Sequence, residues 1–203
     1  MSSKEDELSQ ELEEELDLNY KAPPQKSLQE LIEADKEDAS LAKYKESLLG
    51  NAISGGLIVE PNDPRKVIVK KLKLVTDDGP TMELDLTGDL SNLKSKNFVV
   101  KEGISYRIQI DFLVQREIVH GLKYLQKTYK SIAGIQKQVD KMTHMVGSYP
   151  PKEVPYSYLT PAEDAPSGML ARGNYNITSL FTDDDGKEHL KWDWSFEIKK
   201  DWS

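Results

Sequence analysis

The sequence of 203 residues contains no cysteine, which excludes disulfides and thiolate nucleophiles and removes the commonest structural metal ligand. Histidine is nearly as scarce. The three present, His120, His144 and His189, show neither HExxH nor His-x-His spacing, so each reads as a surface or hydrogen-bonding residue. No GxSxG elbow, GxxxxGK[ST] loop or GxGxxG loop occurs, which leaves no nucleophile turn and no phosphate cradle. No apolar run approaches the roughly 20 residues that span a bilayer. The first residues are acidic rather than basic and then apolar, so a cytosolic chain without a signal peptide is expected. The triplet Asn176-Ile177-Thr178 then reads as coincidence. Asp183-Asp184-Asp185-Gly186 begins like a calcium loop, but Glu188 and Trp194 stand where that loop needs Gly and Glu, so a solvated hairpin turn is expected.

Charge is abundant and uneven. Residues 1–60 hold 15 acidic and 6 basic side chains, whereas residues 61–203 hold 20 and 21. An acidic arm repels phosphate backbones, which argues against nucleic acid and toward a basic protein segment. Within it, residues 1–19 carry eight acidic groups against one lysine and too few apolar side chains to balance the cost of ordering, so a disordered tail is expected. Residues 20–60 read as a regulatory arm with an extended start, since Pro23 and Pro24 discourage helix before them. Ser27 and Glu30 have the spacing of a capping box ahead of Leu28, Leu31 and Ile32. A second helix is expected from Asp38 or Ser40 to Leu49, with Leu41, Tyr44, Leu48 and Leu49 on one stripe and Gly50 at its end. Two helices this short need a partner surface to be stable.

From residue 66 the period changes to two. Ile104, Tyr106, Ile108, Ile110, Phe112 and Val114 alternate with polar residues, and Leu190, Trp192, Trp194, Phe196 and Ile198 repeat the pattern. Further strands are expected at 66–76, 81–87, 97–101, 117–130, 138–147, 153–159 and 172–182, separated by turn sequences such as Asp78-Gly79-Pro80 and Lys101-Glu102-Gly103. Eight or nine strands without intervening helices predict an all-β sandwich over residues 61–203. Its aromatic residues could fill a core or line an apolar pocket, and periodicity does not distinguish the two.

The strings NYKAPPQKSLQE, LAKYKESLLG, ELDLTGDL, REIVHGLKYLQKTY, MVGSY, YLTP, GMLARGNYNI, FTDDD and IKKDW, in this order over residues 20–203, closely resemble the Rho GDP-dissociation inhibitor family. The resemblance implies an immunoglobulin-like sandwich that takes up the geranylgeranyl group of prenylated Rho/Rac-type GTPases. It also implies an arm that forms short helices on the GTPase, favours the GDP-bound state and slows GDP release, a cytosolic 1:1 complex, no cofactor and no catalysis. Carried over by position, Asp38, Leu41, Tyr44, Leu48 and Leu49 would contact the GTPase switches, and Asp38 could at the same time cap the second helix. Asp184 and Asp185 would face the GTPase. Leu74, Phe98, Tyr106, Ile118, Tyr129, Leu170, Ile177, Trp192 and Trp194 would bind the prenyl group, with two or three of these expected to be ordinary core. A twenty-carbon isoprenoid places on the order of 10 kcal/mol at stake between water and an apolar phase.

Two departures stand out. Between Tyr129 and Met145 the chain is about four residues longer than the resemblance implies, which predicts a lengthened hairpin connection. Asn97 and Asn174 stand where animal members often carry phosphorylated serines. Two other functions compete with inhibition: a carrier of prenylated or acylated proteins indifferent to nucleotide state, and a carbohydrate-active enzyme using carboxylates such as Asp111 and Glu117, which would have to converge in a cleft.

Overall fold

The computed structural model describes residues 57–96, 98–132 and 134–202. The acidic tail and both expected arm helices lie outside these residues. The strands are β1 (Val67–Thr76), β2 (Met82–Asp85), β3 (Phe98–Lys101), β4 (Ser105–Val114), β5 (Val119–Ile132), β6 (Ile135–Tyr149), β7 (Tyr156–Leu159), β8 (Glu163–Asp164), β9 (Gly173–Thr182) and β10 (Glu188–Lys199), with one 3-10 turn at Leu90–Ser95. They form two sheets packed face to face. One has the order β2-β1-β4-β7 with β8 also paired to β4; the other has the order β3-β10-β9-β5-β6. All pairings are antiparallel except β3 with β10.

Alternation decides which side chains meet between the sheets. Ile108, Ile110 with Phe112 and Val114 from β4, and Trp192, Trp194, Phe196 and Ile198 from β10, belong to one buried cluster. β4 keeps one parity throughout, but its partner β1 does not: Val67 and Val69 stand opposite Val114 and Phe112, and Leu72 and Leu74 opposite Ile110 and Ile108. All four of these β1 residues belong to the core, and a register shift between Val69 and Lys71 supplies the extra residue.

The β5–β6 hairpin differs from expectation. Instead of ending near Lys130 and resuming near Gln138, both strands continue to the turn, with Ser131 opposite Gln136 and Ile132 opposite Ile135. The added residues lengthen the strands, not the connection. Backbone pairing between adjoining strands needs no apolar alternation, so a Lys- and Gln-rich stretch extends the ladder.

The segment before β1 is fastened to the β4–β5 turn by one buried side chain. Gln115 Nε2 donates to the carbonyls of Asp63 (2.9 Å) and Arg65 (2.8 Å), while its Oε1 accepts from the amides of Val59 (3.2 Å) and Glu60 (2.9 Å). Next to it, Arg116 adopts φ 72°, donates its amide to Leu57 O and reaches Asp63 O with its guanidinium. This clamp sets where the arm leaves the sandwich.

Candidate functional site

At one end of the sandwich the sheets part around a pocket of about 350 Å³, lined by Tyr106, Thr128, Val139, Asp140, Glu163, Asp164, Pro166, Tyr175 and Phe196. A hollow lined by Lys70, Lys71, Asp85, Thr87 and Asp111 lies on the outer face of the first sheet, whereas this pocket has a wall from each sheet.

Its floor is aromatic because β9 and β10 alternate in register. Tyr175 stacks on Phe196 with ring centroids 5.3 Å apart, Phe196 meets Trp194 at 5.9 Å, and Trp194 meets Phe98 at 6.2 Å. This ladder runs from the mouth into the core. Trp194 Nε1 donates to Ser179 Oγ (3.0 Å), which also bonds the hydroxyl of Tyr124 (3.0 Å), so the indole is held with its N–H satisfied. Trp192 stacks on Tyr124 at 6.1 Å, and its buried Nε1 finds no partner among the described residues.

The rim is acidic and partly desolvated. Burial, and then the nearby Asp140 carboxylate, push the Glu163 carboxyl above its ordinary range, while His144 and the Tyr106 hydroxyl pull the other way. Tyr106 Oη donates weakly to Glu163 Oε2 at 3.4 Å, and His144 Nε2 lies 3.8 Å from Glu163 Oε1. Burial raises the Tyr106 hydroxyl as well, with Glu163 adding to the effect. On the opposite side Lys130 Nζ donates to the carbonyls of Leu170 (2.7 Å) and Arg172 (2.9 Å) and lies over the Tyr175 ring. Arg172 in turn makes a two-pronged pair with Glu102 (2.9 and 2.8 Å). The loop before β9 is thereby fixed at the mouth.

The residues expected at a prenyl site are spread along and around this ladder. Tyr106 lines the pocket, and Phe98 and Trp194 continue its floor. Leu74 and Ile177 are buried core beyond it. Leu170 is 92% exposed in the loop that Lys130 holds. Ile118 sits immediately before β5, at the end of that strand away from the mouth. Tyr129 follows pocket-lining Thr128, and strand alternation turns it to the outer face. Asp184, at the turn between β9 and β10, pairs with Lys123 (2.8 Å) and donates its amide to His120 O; Asp185 beside it is exposed. Asp38, Leu41, Tyr44, Leu48 and Leu49 lie outside the described residues.

Sequence reasoning missed Phe196 and Tyr175 as site residues, although Phe196 continues the Trp192, Trp194 alternation and would have been found by following it one step further. Glu163 and Asp164 carried no periodic signal, being a two-residue strand between prolines. The alternative carboxylates do not converge. Asp111 is engaged by Lys73 (2.8 Å) and Glu117 by Lys66, and among the described residues no group of three or more His, Cys, Asp or Glu is arranged to hold a metal.

An apolar aromatic floor under an acidic rim fits an apolar chain attached to a cationic segment. The model of the family described as RHO protein GDP dissociation inhibitor matches residues 4–201 of this sequence. The chain belongs to that family. Rho GDP-dissociation inhibitor 1 of Rattus norvegicus is 54% identical over 191 residues, covering 94% of this chain and 90% of the rat protein. The Homo sapiens inhibitor 1 is 53% identical with the same coverage. Rho GDP-dissociation inhibitor 3 of Homo sapiens is 48% identical over 184 residues, covering 90% of this chain and 78% of that protein. The two-sheet sandwich thus belongs to a regulatory family, and its pocket is read as a binding site, not a reaction centre.

Proposed function

We propose that this protein inhibits GDP dissociation from prenylated Rho-type GTPases and removes them from membranes by taking the prenyl group between its sheets. The observation that carries the reading is the pocket bounded by Tyr106, Tyr175 and Phe196 and rimmed by Asp140, Glu163 and Asp164, in a chain of this family. An isoprenoid entering it exchanges water for aromatic faces, worth roughly 0.8 kcal/mol per CH₂-sized unit. The carboxylates at the rim attract a basic segment next to the lipid.

The pocket ends at Phe196, so a lipid that reaches past it enters only where the floor opens. Beyond Phe196 lie Trp194 and Ile177, each 1% exposed, so deeper entry requires the sheets to part around the Trp194–Phe98 contact. Part of the lipid's free energy is therefore consumed in opening, and protein contacts must add to it for the complex to outcompete a bilayer. Residues 27–49, with Asp38, Leu41, Tyr44, Leu48 and Leu49, supply those contacts on the GTPase, favour its GDP-bound form and slow nucleotide release, while Asp184 and Asp185 contribute from the sandwich. Linking two such modules raises affinity well beyond either one. The complex is one-to-one and cytosolic, with transient visits to membranes.

Extraction of a geranylgeranylated, GDP-loaded Rho-type GTPase from liposomes tests this, run beside the lipid-free GTPase and followed for both membrane release and GDP exchange. Lipid-dependent release with slowed exchange is expected, and deletion of residues 1–50 should abolish the slowing while the sandwich still folds. Release without slowed exchange would instead identify a general lipid carrier, and no release would overturn the reading.

A further inference from the structure

The extended β5–β6 hairpin has a construction that GTPase inhibition does not require. β9 pairs with β5 only as far as Tyr175 opposite Lys130, so the two strands run on alone and carry the turn about 7 Å beyond the sheet. Projecting strand ends in soluble proteins are usually protected by charge or proline. Here Ile132 and Ile135 face each other across the tip and are 51% and 71% exposed. Lys130 and Lys137 are paired two positions below, on the same face. Of the four lysines in residues 127–141, Lys127 is buried and Lys130 is held by the carbonyls of Leu170 and Arg172, which leaves Lys137 and Lys141 exposed beside Asp140. The tip is therefore an apolar point with two exposed lysines behind it, in a chain of net charge -8.

The tip is continuous with the pocket. Val139 lines the mouth and is itself 45% exposed, and Lys130 holds the carbonyls of Leu170 and Arg172. We propose that the β5–β6 tip is a membrane-contact element that holds the pocket mouth close to an anionic bilayer, with the acidic rim set back from the surface: Asp140 pairs with Thr128 four positions behind the tip, about 13 Å of strand and more than a Debye length at about 0.1 M salt. A stable protein interface needs about 800 Å² from each partner, far more than two isoleucines and their neighbours present. A bilayer has no such requirement: single apolar side chains enter at headgroup depth, and lysines beside them gain from anionic lipid. The root of the acidic arm lies at Gln115, just before β5 begins, so the 14 residues of that strand separate root and tip by roughly 40 Å, several Debye lengths at about 0.1 M salt. Contact made this way is weak and reversible, as a protein that leaves with its cargo requires.

The purpose of the element rests on the extraction function proposed above, but its binding can be tested without any GTPase. Because the chain has no cysteine, Gln136→Cys in the full-length protein accepts a single environment-sensitive fluorophore at the tip, and Asn62→Cys reports the opposite end. Vesicles of phosphatidylcholine with about a third phosphatidylserine should blue-shift the tip probe and leave the Asn62 probe unchanged, with no shift on phosphatidylcholine alone. Ile132→Ser/Ile135→Ser should reduce the vesicle-bound fraction about tenfold or more, while circular dichroism shows the sandwich intact. No shift at the tip, equal shifts at both probes, or undiminished binding by the double variant would overturn the proposal. So would a tip probe that responds to a lipid-free GDP-loaded GTPase and not to vesicles.

Discussion

Gln115→Leu removes the clamp at the arm's root while nearly conserving side-chain volume. The wild-type side chain makes four hydrogen bonds of 2.8–3.2 Å to backbone groups of residues 59, 60, 63 and 65. At about 1 kcal/mol net for each, their loss removes roughly 4 kcal/mol from the attachment of this segment. Some returns, because the released backbone regains conformational freedom and its polar groups reach water. A net loss of about 3 kcal/mol corresponds to a local opening equilibrium shifted on the order of 100-fold. Amide hydrogen exchange reads this directly. The Val59 and Glu60 amides, which the Gln115 carbonyl oxygen holds, should exchange about two orders of magnitude faster, while amides in β9 and β10 change little. Nucleotide-exchange inhibition should fall only a few-fold, because a slightly longer tether changes the arm's effective concentration slowly. Unchanged protection at Val59 and Glu60 would refute the clamp, and equal acceleration throughout β9 and β10 would show that Gln115 stabilises the whole sandwich instead.

Other perturbations are equally direct. Burial raises the folded-state value of Glu163, so ionising it costs stability as pH rises; Glu163→Gln should gain on the wild type progressively as pH rises from the unfolded carboxylate value of about 4 through the raised folded value in urea titrations, and parallel profiles would contradict this. Burial pushes Asp183 upward, but His189 (2.8 Å) and the amides of Lys187 and Asp185 hold it below the ordinary range. Its contribution is present above the unfolded carboxylate value of about 4 and is lost as pH falls, so Asp183→Ala should cost about 3 kcal/mol at neutral pH and converge with the wild type in acid melts. Gly121 has φ 61°, and a Cβ there would lie 1.7 Å from Asp184 Oδ2. Gly121→Ala should lose at least about 1–2 kcal/mol from backbone strain and, by displacing Asp184 from Lys123, weaken nucleotide-exchange inhibition measured with the lipid-free GTPase.

The sandwich was legible because half-buried antiparallel strands must alternate, and β4 and β10 do so over five or more successive core positions. What local pattern does not carry is register. The bulge in β1 changes which parity faces inward, and nothing in Val-Ile-Val-Lys-Lys-Leu announces it. Tyr129 shows the same limit: its aromatic ring suggested a pocket, but its position next to Thr128 assigns it to the other face. The hairpin tip was read as a connection because Gln and Lys break the apolar alternation, yet two strands already paired extend their ladder by backbone hydrogen bonds. Pocket and core are chemically alike in sequence, so Trp194 and Phe196 could be assigned to the same face but not to closed core or open floor.

The two ends of β5 divide the proposed function spatially. At its beginning lie the arm root, through Gln115 and Arg116, and the Asp184 turn, whose amide donates to His120 O. Toward its other end Thr128 lines the pocket. Eight residues separate His120 from Thr128, about 26 Å of extended strand. If the arm and Asp184 hold the GTPase as proposed, its C-terminal segment must run along the sandwich before its lipid can enter, and an extended chain gains at most about 3.3–3.6 Å per residue. About eight residues are needed between the folded GTPase and its prenylated cysteine. GTPases with that segment shortened to about four residues should still show slowed GDP release, because the arm is unaffected, but should no longer leave liposomes. If the short-tailed protein is extracted as well as the parent, the lipid enters nearer the Asp184 end, and the pocket between Tyr106 and Phe196 is not its doorway.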